Sequence, residues 1–83
     1  MKMDFINIIT TYVKPLATIQ DAVTVKEIES EENNLVFEIS VANDDLGRVI
    51  GREGRVANAL RTIVYAAAIK EGYRVKLNFV GAE

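Results

Sequence analysis

Hydrophobic positions change their spacing several times along the chain, and each change predicts an element. After Asp4, residues Phe5, Ile8, Ile9, Tyr12, Val13 and Leu16 recur at helical spacing, and Asp4 is placed to cap that helix. Pro15 has no N–H to donate and predicts an end or a kink there. Ala22 to Glu29 is rich in Val, Thr and Ile and predicts a strand. Ser30-Glu31-Glu32-Asn33-Asn34 is wholly polar and predicts the turn after it. Leu35, Phe37, Ile39 and Val41 then share one face of a second strand, with Glu38 and Ser40 on the other. So short a connection makes the two strands an antiparallel hairpin.

Helical spacing returns over Asp44 to Ile50 and again from Arg55 to about Glu71, the two stretches being split by glycines. On the longer one, Val56, Leu60, Ile63 and Ala67 form the expected inner face, with Ala59 and Val64 at its borders. Gly72 is a helix stop. Tyr73, Val75, Leu77 and Phe79 give the inward face of a last strand, and Arg74, Lys76 and Asn78 its outward face. The order is α-β-β-α-α-β. A strand that returns through a helical crossover runs parallel to its predecessor. The expected fold is an α+β two-layer sandwich, a three-stranded mixed sheet covered on one face by three helices, in one domain spanning residues 1–83.

Composition narrows the chemistry. The 83 residues are 49% hydrophobic, enough for one thin core, so self-association or a partner would add stability. There is no Cys and no His, which removes the usual zinc ligands, the commonest general base and any disulfide. Glu27, Glu29, Glu31 and Glu32 match no calcium-loop spacing and read as solvated charge. The sequence thus predicts no cofactor and no enzyme. No apolar run has the length of a membrane span, and Met1-Lys2-Met3-Asp4 does not open a signal peptide, so a soluble cytoplasmic protein is expected.

Net charge is −2, which alone argues against a polyanionic partner, but the charge is unevenly placed. Residues 1–45 carry three Lys against nine acids, whereas residues 46–83 carry seven Lys/Arg against three acids. A local basic surface attracts phosphate even on an acidic chain.

The basic half contains Leu46-Gly47-Arg48-Val49-Ile50-Gly51-Arg52-Glu53-Gly54-Arg55-Val56. Gly51 and Gly54 sit three apart between two predicted helices, where their freedom at positive φ permits a sharp turn. The following helix would present free N–H groups and its positive dipole end at that turn, an arrangement suited to phosphate. Arg48, Arg52 and Arg55 surround it with guanidinium donors.

The run Val49-Ile50-Gly51-Arg52-Glu53-Gly54-Arg55-Val56 resembles the signature of KH domains, and the element order resembles the type II KH fold. Together with Val13-Lys14-Pro15-Leu16, Gly47-Arg48-Val49-Ile50-Gly51-Arg52 and Arg61-Thr62-Ile63-Val64-Tyr65, it resembles the small bacterial KhpA family over nearly the whole chain. The resemblance implies that Gly51, Arg52, Glu53 and Gly54 form a GXXG clamp on single-stranded RNA. It implies that Val49 or Ile50 floors a groove for unpaired bases, and that Gly47 lets a base or sugar lie close. It implies a homodimer, and association with a larger Jag/KhpB-type RNA-binding protein linked to cell growth and division. It further implies a role as RNA chaperone or post-transcriptional regulator. Glu53 departs from the commoner basic or neutral loops and predicts modest, salt-sensitive affinity or a carboxylate turned to solvent.

Plainer readings stand beside these. A GXXG can be a bare turn, Arg48 can pair with Asp44 or Asp45 at helical spacing, and Arg74 and Lys76 can be a solvated sheet face. Arg61 reads as structural or interfacial. A cation at a helix start, such as Arg55, opposes the dipole and points to a nearby anion. Arg61, Thr62, Ile63, Tyr65 and Ile69 form a candidate dimer face, because the long helix is apolar nearly all round from Ile63 to Ile69. A second functional reading follows, a dimerising protein-interaction subunit with weak or no RNA binding of its own; single-stranded DNA remains an alternative polymer.

Overall fold

The computed structural model describes residues 4–82. Residues 1–3, which belong to the signal-peptide reading, and residue 83 lie outside the described residues. The elements are α1 (Phe5–Val13), β1 (Thr24–Glu31), β2 (Asn34–Ala42), α2 (Asn43–Ile50), α3 (Arg55–Lys70) and β3 (Arg74–Ala82). Short 3₁₀ turns lie at Lys14–Leu16, Gln20–Ala22 and Arg52–Gly54. The sheet order is β1-β2-β3, with β1 antiparallel and β3 parallel to β2. This is the mixed α+β sandwich that the sequence predicts.

Local chemistry sets the boundaries. The Asp4 carboxylate accepts from the Asn7 N–H at 3.1 Å and caps α1. Pro15 ends α1 as expected, entering a 3₁₀ turn where its missing N–H costs nothing. At the end of α3, Gly72 takes φ +84° while Tyr73 N–H reaches the Ala68 carbonyl at 2.8 Å and Gly72 N–H the Ile69 carbonyl at 3.0 Å. This is a Schellman closure.

β2 runs through the middle of the core. Leu35, Phe37, Ile39 and Val41 are all buried, and Phe5, Ile9 and Val13 of α1 pack on the same cluster. The Phe5 ring meets Phe37 with centroids 5.9 Å apart and Tyr73 edge-on at the same distance. Such contacts add about 0.5–1.5 kcal/mol each beyond area burial.

The hairpin differs from the expected one. Its turn is only Glu32-Asn33, not the five residues from Ser30 to Asn34, because Ser30 and Glu31 pair with Leu35 and Asn34. The ladder slips by one residue between Glu27 and Glu29, a bulge that leaves Ile28 exposed. Glu32 takes φ +48° to close the tight turn.

The inner stripe of α3 is also corrected. The buried residues are Ala57, Leu60, Val64 and Ala68, while Ile63 is 44% exposed. The buried stripe thus combines small Ala57 and Ala68 with larger Leu60 and Val64, one position on from the expected Val56, Ile63 and Ala67.

Candidate nucleic-acid interface

α2 and α3 are separated by a real break. Gly51 (φ +80°, ψ 171°) ends α2, Glu53 (φ +57°) and Gly54 (φ +76°) are left-handed, and α3 starts at Arg55. The bend is closed by Gly51 N–H to the Gly47 carbonyl at 2.8 Å and Gly54 N–H to the Gly51 carbonyl at 3.1 Å. Gly51 has a second constraint: a Cβ there would lie 2.5 Å from Val56 Cγ2 and 2.9 Å from Val56 N. Gly54 offers α3 no capping side chain; the Arg55 N–H is taken by the Arg52 carbonyl, and the amides that follow in the first turn have no side-chain acceptor.

Arg52, Glu53 and Arg55 are exposed around this bend. The anion beside Arg55 is internal. Glu53 Oε2 lies 3.7 Å from Arg55 Nη2, and both side chains are about three-quarters exposed. Glu53 therefore faces solvent, as one of its two expected placements had it, and screens a cation that a phosphate would otherwise meet.

Of the residues before the bend, Gly47 is exposed, with no heavy atom within 4 Å of a built Cβ. Ile50 is half-buried. Val49 is fully buried in the core, so it presents no surface to a ligand and only Ile50 of that pair can line a groove. Arg48 reaches Asp45 rather than Asp44: its Nε is 3.9 Å from Asp45 Oδ1, with the side chain 62% exposed.

Asp45, which the sequence offers only as a neighbour for Arg48, has a further place in the fold. It is 1% exposed, the one buried charged side chain among the described residues. Its carboxylate accepts from Thr18 Oγ1 at 2.7 Å, Ile19 N–H at 3.0 Å and Thr18 N–H at 3.1 Å. The Thr18 hydroxyl, the Ile19 amide, the Thr18 amide and Arg48 hold its pKa below the usual carboxylate value, against the opposing effect of burial. No local signal marks this, because the partners lie 26 and 27 residues away.

The candidate dimer residues do not form one surface. Ile63 lies with Ile8, Tyr12 and Ala67 along a groove of about 360 Å³ between α1 and α3. Tyr65 and Ile69 line a separate hollow with Tyr73 and Val75 beside β3. Arg61 is held between α3 and β3, donating to the Leu77 carbonyl at 3.4 Å and Asn58 Oδ1 at 3.3 Å, with its guanidinium 5.2 Å from the Phe79 ring centre. Thr62 is exposed and donates to the Asn58 carbonyl. Among the described residues no group of three acids is arranged to hold a metal ion, and no helix is long and apolar enough to cross a membrane.

Comparison with known proteins decides the family. A family model described as the KhpA/KhpB KH domain matches residues 6–79. The chain belongs to the KhpA/KhpB family of KH domains. It is 40% identical over 74 residues to the RNA-binding protein KhpA of Clostridium acetobutylicum, covering 89% of this chain and 97% of that one. It is 42% identical over 74 residues to the protein of the same name from Caldanaerobacter subterraneus, with the same coverage. The Halalkalibacterium halodurans protein of that name is 48% identical over 60 residues, 72% of this chain and 78% of its own. No solved structure matches the chain significantly. Membership of the KhpA/KhpB family accounts for the α-β-β-α-α-β order, and the matched region contains the whole Gly51–Gly54 bend.

Proposed function

We propose that this protein is a non-catalytic module that binds single-stranded RNA, its Gly51–Gly54 bend gripping the sugar–phosphate backbone. The observation that carries the reading is the bend itself: an exposed break between two helices, facing the uncapped start of α3 and flanked by Arg48, Arg52 and Arg55. The names of its KhpA relatives support RNA as the polymer. Backbone contacts carry little sequence information, so specificity is loose and affinity is in the micromolar range and salt-dependent. Gly47 and Ile50 form the side of the groove nearest the bases. A role as RNA chaperone or post-transcriptional regulator in the cytoplasm, tied to growth and division, extends the reading.

The test is a gel shift at low salt with the variant carrying Arg52→Asp and Glu53→Asp. The variant stays folded and loses RNA; retention of RNA contradicts the clamp. A matched DNA strand run in parallel tells which polymer the groove prefers.

A second reading has its own support. Tyr12 and Ile63 are 45% and 44% exposed and share the α1/α3 groove, an apolar surface of the kind that meets another chain. The protein is proposed to self-associate there as a two-fold dimer and, by the family resemblance, to pair with a Jag/KhpB-type RNA-binding protein. The interaction-subunit alternative gives this surface the main role and the bend a minor one. Sedimentation of the wild type at high concentration decides it, since a monomer there contradicts self-association.

A further inference from the structure

α2 is the short helix that delivers the chain to the bend. It has eight residues, no side-chain N-cap, and only two buried side chains, Asp45 and Val49. One of the two is a carboxylate. Burying a carboxylate costs far more than burying an aliphatic side chain unless it is fully hydrogen-bonded. Here it is bonded, by three donors that all come from the Thr18–Ile19 turn between α1 and β1. The fourth group near it is Arg48, one turn further toward the bend. The opposite side of the helix start is closed by β3, where a Cβ on Gly81 would collide with the Asn43 side chain. The first turn of α2 is thus fixed from two sides, and Gly51 follows two turns later.

We propose that Asp45 is a positioning residue for the bend: it anchors α2 to the Thr18–Ile19 turn, orients Arg48, and through the helix sets where the Gly51–Gly54 amides and Arg52 stand. The proposal rests on the RNA reading for its consequence but not for its geometry, so two readouts separate them. Asn has nearly the shape of Asp and can turn its one carbonyl oxygen to the Ile19 and Thr18 amides, but that oxygen is a weaker acceptor than a carboxylate, its NH2 must then use the Thr18 hydroxyl as acceptor, and it carries no charge for Arg48.

The experiment compares wild type, Asp45→Asn, Thr18→Val and Ile9→Val. Ile9 is buried in α1 and takes no part in the hydrogen bonds to Asp45; its truncation lowers stability, so it controls for destabilisation alone. Amide hydrogen exchange in the free proteins is the first readout. Gly51, Gly54 and Arg55 exchange faster in Asp45→Asn, less so in Thr18→Val, and not in Ile9→Val. Unchanged exchange at these amides in Asp45→Asn overturns the proposal whether or not RNA binds. The second readout is fluorescence anisotropy with a labelled twelve-residue oligouridylate. Asp45→Asn weakens binding roughly three- to tenfold, and Ile9→Val leaves it unchanged. Equal losses in the two variants overturn the positioning role and leave only a stability effect. A wild type that does not bind the oligouridylate or a mixed-sequence strand fails the RNA reading alone, and the exchange result still stands for or against the anchor. Should Asp45→Asn be unfolded, Thr18→Val removes one of the same hydrogen bonds and carries both readouts.

Discussion

Gly51 and Val56 are packed so closely across the bend that no side chain fits between them: a Cβ on Gly51 would stand 2.5 Å from Val56 Cγ2 and 2.9 Å from its Cβ and amide nitrogen. Gly54, the other glycine of the motif, has only Asn58 Nδ2 nearby, at 3.8 Å. The two glycines therefore answer different needs. Gly51 serves both a backbone conformation that is almost glycine-only and the approach of α3, whereas Gly54 serves a left-handed turn alone.

Alanine substitution separates those needs. Gly51→Ala costs about 2–4 kcal/mol, from positive-φ strain plus displacement of Val56. Gly54→Ala costs about 1 kcal/mol from the left-handed conformation only. Urea unfolding of the two variants checks the order; equal losses contradict the packing argument.

The buried carboxylate gives a pH signature. Hydrogen bonds from Thr18 and Ile19 lower the Asp45 pKa from its ordinary 3.8, so folding favours the ionised form. The stability this supplies is fully present above the unfolded-state value near 3.8 and is lost as pH falls through the lower folded value. Asp45→Asn therefore melts below wild type at pH 7, and the gap narrows below about pH 4. Melting curves from pH 7 to pH 2.5 measure it. A gap that is constant with pH contradicts an ionised, hydrogen-bonded Asp45.

Glu53 holds a left-handed conformation that Asn adopts more easily, and its carboxylate stands beside Arg55. Glu53→Asn is expected to raise stability by a few tenths of a kcal/mol, a fraction of the cost of a single left-handed residue. It also tightens RNA binding roughly two- to fivefold at low salt, an advantage that fades as salt screens the charge. Anisotropy titrations at two ionic strengths check both parts.

The two apolar patches on α3 make separable predictions about assembly. Ile63→Asp places a charge in the α1/α3 groove and yields a monomer in sedimentation velocity, while Ile69→Asp, at a site 71% exposed beside β3, leaves the dimer intact. The reverse result moves the proposed interface to the Tyr65–Ile69 side.

Legibility in the sequence followed the range of the forces involved. β2 was readable because Leu35, Phe37, Ile39 and Val41 alternate without interruption, and the bend because Gly51 and Gly54 act through their own backbone. The hairpin was misread because polar Ser30 and Glu31 look like turn residues; the bulge at Ile28 changes which strand positions face out, something pattern alone does not carry. On α3 the eye goes to Ile63, whereas the fold buries the small Ala57 and Ala68. Asp45 was read only as a neighbour for Arg48, since its burial comes from a turn far back in the chain. Ile63 and the Tyr65–Ile69 pair are close in sequence, but helical rotation sends them to opposite sides of α3, so the candidate dimer residues line two separate hollows.

The central claim is tested most directly by titrating the isotope-labelled protein with unlabelled single-stranded RNA and following its backbone amides. The expected result is that the largest shifts fall on Gly47, Ile50 and Gly51 through Arg55, shrink as salt rises, and vanish in the Arg52→Asp, Glu53→Asp variant. Shifts confined to the α1/α3 groove or the β1 edge, with the bend unmoved, would contradict it.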